Sequence, residues 1–172
     1  MIKMNSPYVR VPLRFGSVGG LVSIALFVAL YLLDKNPLVT IRIADVFIIP
    51  IFIFFGIREF KDYYNQRKLR FWQGMSIGIA TYVIIALLSA ICVFIIVYFV
   101  DDALFQDFVS NSVSDLLDKK EALVEQFGEE SFNATLEKTS SMKKIHLPVD
   151  DFIKKCIIGL FLTIVFSIIL RK

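Results

Sequence analysis

The sequence predicts an all-α fold: an integral membrane four-helix bundle with an extramembrane amphipathic helical segment between its third and fourth spans. Three observations predict it. More than half of the residues are apolar, and phenylalanine alone fills 17 of 172 positions, beyond what a water-soluble domain of this size requires. The apolar residues gather into four blocks, each near the roughly 20 residues that a helix needs to cross about 30 Å of hydrocarbon. Residues 101–151 differ in kind, with twelve acidic and five basic side chains. The whole chain, 1–172, reads as a single membrane domain.

The first span covers about 13–33, with Arg10 and Arg14 before it. It is followed by Asp34-Lys35-Asn36-Pro37, not by the small-residue cleavage site of a signal peptide, so the block is expected to stay as a helix. The second span, about 38–57, carries Arg42 and Asp45 near its start and Pro50 at its middle. After it comes a turn from Arg58 to Trp72 that holds five cations among aromatic residues, the mark of a cytoplasmic loop. Within this turn Lys61, Tyr63, Tyr64, Arg67, Lys68, Arg70 and Trp72 are candidate contacts for anionic head groups or a partner. Positive-inside charge and the interfacial aromatic belt place the same residue types there without any specific ligand.

The third span, about 72–100, would be ~43 Å long at 1.5 Å per residue, so it must tilt or project into water. In the insert at 101–151, Phe105, Val109, Val113, Leu116, Leu123 and Phe127 recur at three- and four-residue steps, while Asp107, Asp115, Asp118 and Glu125 fall elsewhere on the wheel. This pattern predicts an amphipathic helix ending near Gly128. A weaker helical pattern follows through Phe132 and Leu136. Pro148 with Asp150 or Asp151 opens the last helix, whose span, about 152–170, runs up to Arg171-Lys172.

Four spans bring Arg10, Arg14, the Arg58–Arg70 turn and Arg171-Lys172 to one side, so both termini are expected in the cytoplasm and the acidic insert outside. Lys154 and Lys155 run against that charge rule. The expected location is a bacterial inner membrane, crossed several times. The net charge of +3 is spread over short flanks and forms no stripe that could track a phosphate backbone, which excludes nucleic acid as a partner. The expected partners are the lipid bilayer and an envelope protein or a second copy of the chain.

No cofactor or metal is expected. Cys92 and Cys156 sit inside apolar blocks, where thiols behave as small hydrophobes. His146 stands without ligand spacing. Asn133-Ala134-Thr135 matches a glycosylation sequon, a pattern common by chance. The chain lacks a phosphate-binding glycine loop, an HExxH helix and a GxSxG turn, so no enzyme activity is expected. Gly16 with Gly20 and Gly74 with Gly78 have the four-residue spacing that lets membrane helices approach closely, read first as packing within one chain and second as a dimer contact.

The candidate ligand or ion-pair site is Asp45 with Arg42, Pro50, Lys154 and Lys155. A carboxylate at the centre of a spanning helix costs about 2.5–3.5 kcal/mol on insertion scales, so a partner should offset it. One reading keeps Asp45 at the interface, held by Arg42 three residues earlier and by the helix N-terminus. The other places it in an outward-open cavity shared with Lys154 or Lys155, with Pro50 bending the helix just below.

The run Phe55-Gly56-Ile57-Arg58-Glu59-Phe60-Lys61-Asp62, followed by Arg70-Phe71-Trp72-Gln73-Gly74 at the head of a long apolar helix, resembles a bacterial family of small four-span membrane proteins, domain of unknown function 4199. The likeness covers nearly the whole chain, although Lys61 stands where such turns commonly carry arginine. It implies an inner-membrane location in Gram-negative bacteria and no particular chemistry. The expected function is a non-catalytic structural or assembly module of the cell envelope. The alternative is a small ligand-binding or proton-coupled carrier built on the intramembrane carboxylate Asp45.

Overall fold

The computed structural model describes residues 6–33 and 37–171, with side chains in the second helix described from Phe47 onward. It is all-α, with no strand among the described residues. Four long helices form the bundle: α1 (Pro7–Leu32), α2 (Pro37–Glu59), α3 (Phe71–Ile95) and, after a three-helix insert, α7 (His146–Ile169). The insert consists of α4 (Ala103–Asp118), α5 (Lys120–Phe127) and α6 (Glu129–Ser140). Helix α1, α3 with its C-terminal extension to Val100, and α7 are each long and apolar enough to cross a membrane, with mean hydropathies of 2.1, 3.1 and 2.2. The protein is therefore a multi-pass membrane protein.

Helix boundaries follow local chemistry. Helix α1 begins six residues before the expected 13, because Pro7 takes the first helical position behind an extended Ser6, where its fixed φ is already helical. Helix α2 runs unbroken through Pro50 and widens into a π-helical turn at Phe60–Tyr64. The chain then reverses through Gln66 and Arg67, both left-handed at φ 51° and 60°, and the Arg67 N–H closes the turn on the Lys61 carbonyl at 3.0 Å. At the head of α3, Gln73 organises the junction. Its Oε1 accepts the Arg70 N–H and an Asn65 N–H, both at 2.9 Å, while its Nε2 donates to the Tyr8 hydroxyl at 3.0 Å. Helix α7 starts at His146, two residues ahead of the Pro148 expected to open it, and takes Pro148 into its first turn, where the missing N–H costs nothing.

Helix α3 is the centre of the bundle, touching α1, α2 and α7. Its contacts are close because small residues face it or belong to it. Gly16 and Gly20 of α1 lie against Ile84 and Leu88 of α3, while Gly74 and Gly78 of α3 lie against Ser167 and Thr163 of α7. Both glycine pairs are thus used within one chain, as the first reading expected. Many large apolar residues show the opposite placement: Leu21, Phe47, Ile51, Leu87, Ile91, Ile157 and Phe161 are exposed on the outside of the bundle, whereas Ser23, Thr81, Ser89, Thr163 and Ser167 are buried within it. Grease outward and small polar groups inward is the arrangement lipid favours, because hydrocarbon gives no drive to bury leucine and close approach yields dispersion contacts.

Two apolar cores stack along the bundle. One, at the end near the 60–70 turn, gathers Val11, Ile49, Ile53, Ile57, Phe60, Leu69, Ile77 and Ile85. The other joins the insert to the bundle: Leu104, Phe105 and Phe108 of α4 pack on Phe27, Val93, Val97 and Leu147. The first half of the amphipathic stripe is therefore covered within one copy. Beyond it, the expected single helix to Gly128 divides at Lys119 into α4 and α5, and α6 folds back so that Phe132 is buried beneath Lys120. Gly128 turns the chain at φ 84°, a conformation that suits glycine.

A Cβ added at Gly78 would collide with the Thr163 methyl carbon. Gly78→Val is therefore expected to cost about 1–3 kcal/mol of unfolding free energy in detergent while leaving the size-exclusion profile unchanged. A change of oligomeric state without loss of monomer stability would assign this pair to a dimer contact instead.

Candidate functional site

Acidic residues placed four positions ahead of basic ones face each other along a helix, and the opening of α7 contains two such pairs, Asp150 with Lys154 and Asp151 with Lys155. They meet different surroundings. Successive helical residues point about 100° apart, so Lys154 emerges at the surface, paired with Asp150, while Lys155 turns into the bundle and is only 2% exposed. The Lys155 Nζ donates to both Asp151 carboxylate oxygens at 2.6 Å and to the Ser89 Oγ at 2.7 Å. Ser89, on α3, in turn donates to Asp151 Oδ2 at 3.1 Å. The three side chains close a ring of charge-assisted bonds across the α3–α7 contact.

This geometry satisfies what a buried ammonium demands. An isolated charge in low dielectric costs several kcal/mol, and a carboxylate engaged through both oxygens, with a hydroxyl beside it, offsets most of that. Of the proposed site residues, Lys155 therefore occupies the bundle interior and Lys154 does not. Pro50 is half-buried in α2. The side chains of Asp45 and Arg42 lie outside the described residues. Asp151 and Ser89 are the site residues that sequence reasoning passed over. The i,i+4 spacing of Asp151 and Lys155 was the available signal; nothing in the local pattern distinguishes Ser89 from the other small residues of α3.

The second group of candidate residues surrounds the 60–70 turn. Tyr63 and Trp72 are among the most exposed aromatic residues of the chain, Tyr64, Arg67, Lys68 and Arg70 are exposed, and Lys61 is partly covered. Neighbouring charges are already engaged, Arg14 with Glu59 and Arg58 with Asp62, the latter at 3.6 Å. At the opposite end of the bundle, the insert is tied down by polar contacts. The Tyr31 hydroxyl donates to Asp101 at 3.1 Å, the other Asp101 oxygen accepts the Ala103 N–H at 2.9 Å, and Lys144 pairs with Asp102 at 2.7 Å. His146 serves this same corner, its Nδ1 accepting the Lys143 N–H at 3.1 Å. Cys92 and Cys156 are free thiols. Among the described residues no cluster of His, Cys, Asp and Glu is grouped to hold a metal ion.

The fold defines a class: a small multi-pass α-helical membrane protein. The chain belongs to the family described as Protein of unknown function (DUF4199), whose profile matches residues 14–172. Neither a curated protein nor a solved structure matches it.

Removing one member of the ion pair should expose its cost. Lys155→Met leaves Asp151 uncompensated and is expected to lower unfolding free energy in detergent by about 3–5 kcal/mol, whereas Lys155→Met combined with Asp151→Leu should recover most of the loss. Wild-type stability of the single variant would show that the ring carries no such burden.

Proposed function

We propose that this protein is a non-catalytic structural or assembly module of the bacterial inner membrane. It crosses four times, with α2 as the fourth crossing helix, and holds both termini in the cytoplasm and the α4–α6 insert outside. The charge distribution supports this orientation: Arg10, Arg14, the basic 60–70 turn and Arg171 gather at one end of the bundle, and the acidic insert lies at the other.

The observation that carries the reading is the division of the insert into a fixed root and a presented tip. Its root is held by Phe105, Phe108, Tyr31–Asp101 and Lys144–Asp102. Its tip carries Leu117, 51% exposed in the last turn of α4, and Phe127, 66% exposed at the end of α5. A rigidly held apolar tip outside the membrane suits docking to another envelope protein or to a second copy.

One observation favours the carrier reading: the Lys155–Asp151–Ser89 ring is an ionisable group inside a spanning helix, the kind of residue that marks substrate or proton pathways. On that reading the ring would be the coupling element.

Two measurements test the leading reading in cells of the native host. With Cys92 and Cys156 replaced by alanine, a cysteine at position 126 is expected to react with a membrane-impermeant maleimide in spheroplasts, and one at position 65 only after lysis. A photo-crosslinking residue at position 117 or 127 is expected to give a discrete protein adduct that Phe127→Asp, placed beside the position 117 probe, removes. Absence of any adduct at the tip would sink the assembly reading, and labelling at position 65 in intact spheroplasts would reverse the topology.

A further inference from the structure

At the end of the bundle opposite the insert, a cavity of about 730 Å³ opens between the head of α3 and the foot of α7. Leu69, Arg70, Phe71, Trp72, Ile168 and Arg171 line it. Its two polar residues are both arginines, brought together from positions a hundred residues apart in the chain. Among the described residues, neither guanidinium has a carboxylate partner. Two other cations at this end do have one, Arg14 with Glu59 and Arg58 with Asp62. The rest of the lining is apolar or aromatic.

We infer that this cavity binds an anionic phospholipid from the leaflet that surrounds this end of the bundle, with its phosphate between Arg70 and Arg171. Three features carry the inference. Guanidinium groups present forked N–H donors that match phosphate oxygens two at a time, and two of them without a carboxylate supply the charge that a phosphodiester needs. The volume lies within the range of ligand sites and its lining is mostly apolar, which suits an amphiphile better than a small free anion.

The cavity also adjoins the exposed apolar face of α7. Ile168 belongs to a row with Ile157, Phe161 and Ile164, which follow one another at four- and three-residue steps on the exposed face of α7. An acyl chain lying along that row brings its head group to Arg171. Trp72, 76% exposed at the cavity edge, sits where indole rings favour the head-group level. The inference concerns the opposite end of the molecule from the insert and stands independently of the assembly reading.

Trp72 is the chain's single tryptophan and so reports on its own surroundings. The protein is reconstituted in phosphatidylcholine vesicles in which the brominated, quenching lipid is either a phosphatidylglycerol or a phosphatidylcholine at equal mole fraction. The anionic quencher is expected to show about a tenfold higher relative association with the Trp72 site, falling to about twofold or less in Arg70→Gln/Arg171→Gln. Arg171→Gln alone, beyond the end of α7, should give an intermediate value, which guards against a folding defect at the α3 cap. Arg10→Gln/Arg58→Gln removes the same charge from the same end of the bundle and should retain the preference. Equal quenching by the two lipids in the wild-type protein would overturn the inference, as would a preference that survives loss of both cavity arginines. So would displacement of the anionic lipid by inorganic phosphate at constant ionic strength, since that would mark the site as one for a free anion.

Discussion

Everything else in this molecule depends on how closely α3 can approach its neighbours. In hydrocarbon, leucine gains nothing by leaving lipid for protein, so the association of helices rests on dispersion between well-fitted surfaces and on a few polar bonds. Gly74 and Gly78 meet Ser167 and Thr163 on one side, and Gly16 and Gly20 of α1 meet Ile84 and Leu88 on the other. Those contacts bring α3 and α7 near enough for Lys155 to reach Ser89. The buried ring is thus a product of the close packing as much as a support for it.

Much of the architecture was legible in the sequence because lipid imposes a coarse and severe pattern. Blocks of about 20 apolar residues, cations at the turns and a polar insert are constraints of length and solvation, and they place helices without any knowledge of their partners. The family resemblance carried by Phe55–Asp62 and Arg70–Gly74 agrees with the match over 14–172. Boundaries were less legible. Pro148 was read as a helix opener and stands in the first turn of α7, but Pro7, which opens α1 ahead of the apolar block, drew no notice; in both places the backbone N–H has no helical partner to lose. The division of the insert at Lys119 was equally silent, since the apolar stripe continues across it.

The candidate site was legible in part. A charged pair at the opening of α7 was apparent, but treating Lys154 and Lys155 as equivalent missed the 100° between them, which sends one to the surface and the other to the interior. Asp151 escaped notice because it had been read as a helix-start residue, and Ser89 because a serine in a membrane helix bears no mark of the residue it will meet. Contact across helices is a tertiary fact. At the turn, the aromatic and basic residues are local in sequence and stand out by composition, whereas Arg171 and Ile168 join that surface only through the return of α7.

The π-helical turn at Ile96–Val100 has a geometric consequence for the insert. A π turn holds more residues than an α turn of the same hydrogen-bonded ladder, so it advances the chain around the helix axis before the chain leaves it. Each residue added or removed there swings whatever follows by about 100°. The azimuth at which Asp101 meets Tyr31, and with it the compass bearing of the whole α4–α6 appendage, is therefore set by winding at the end of α3 rather than by the length of a flexible joint.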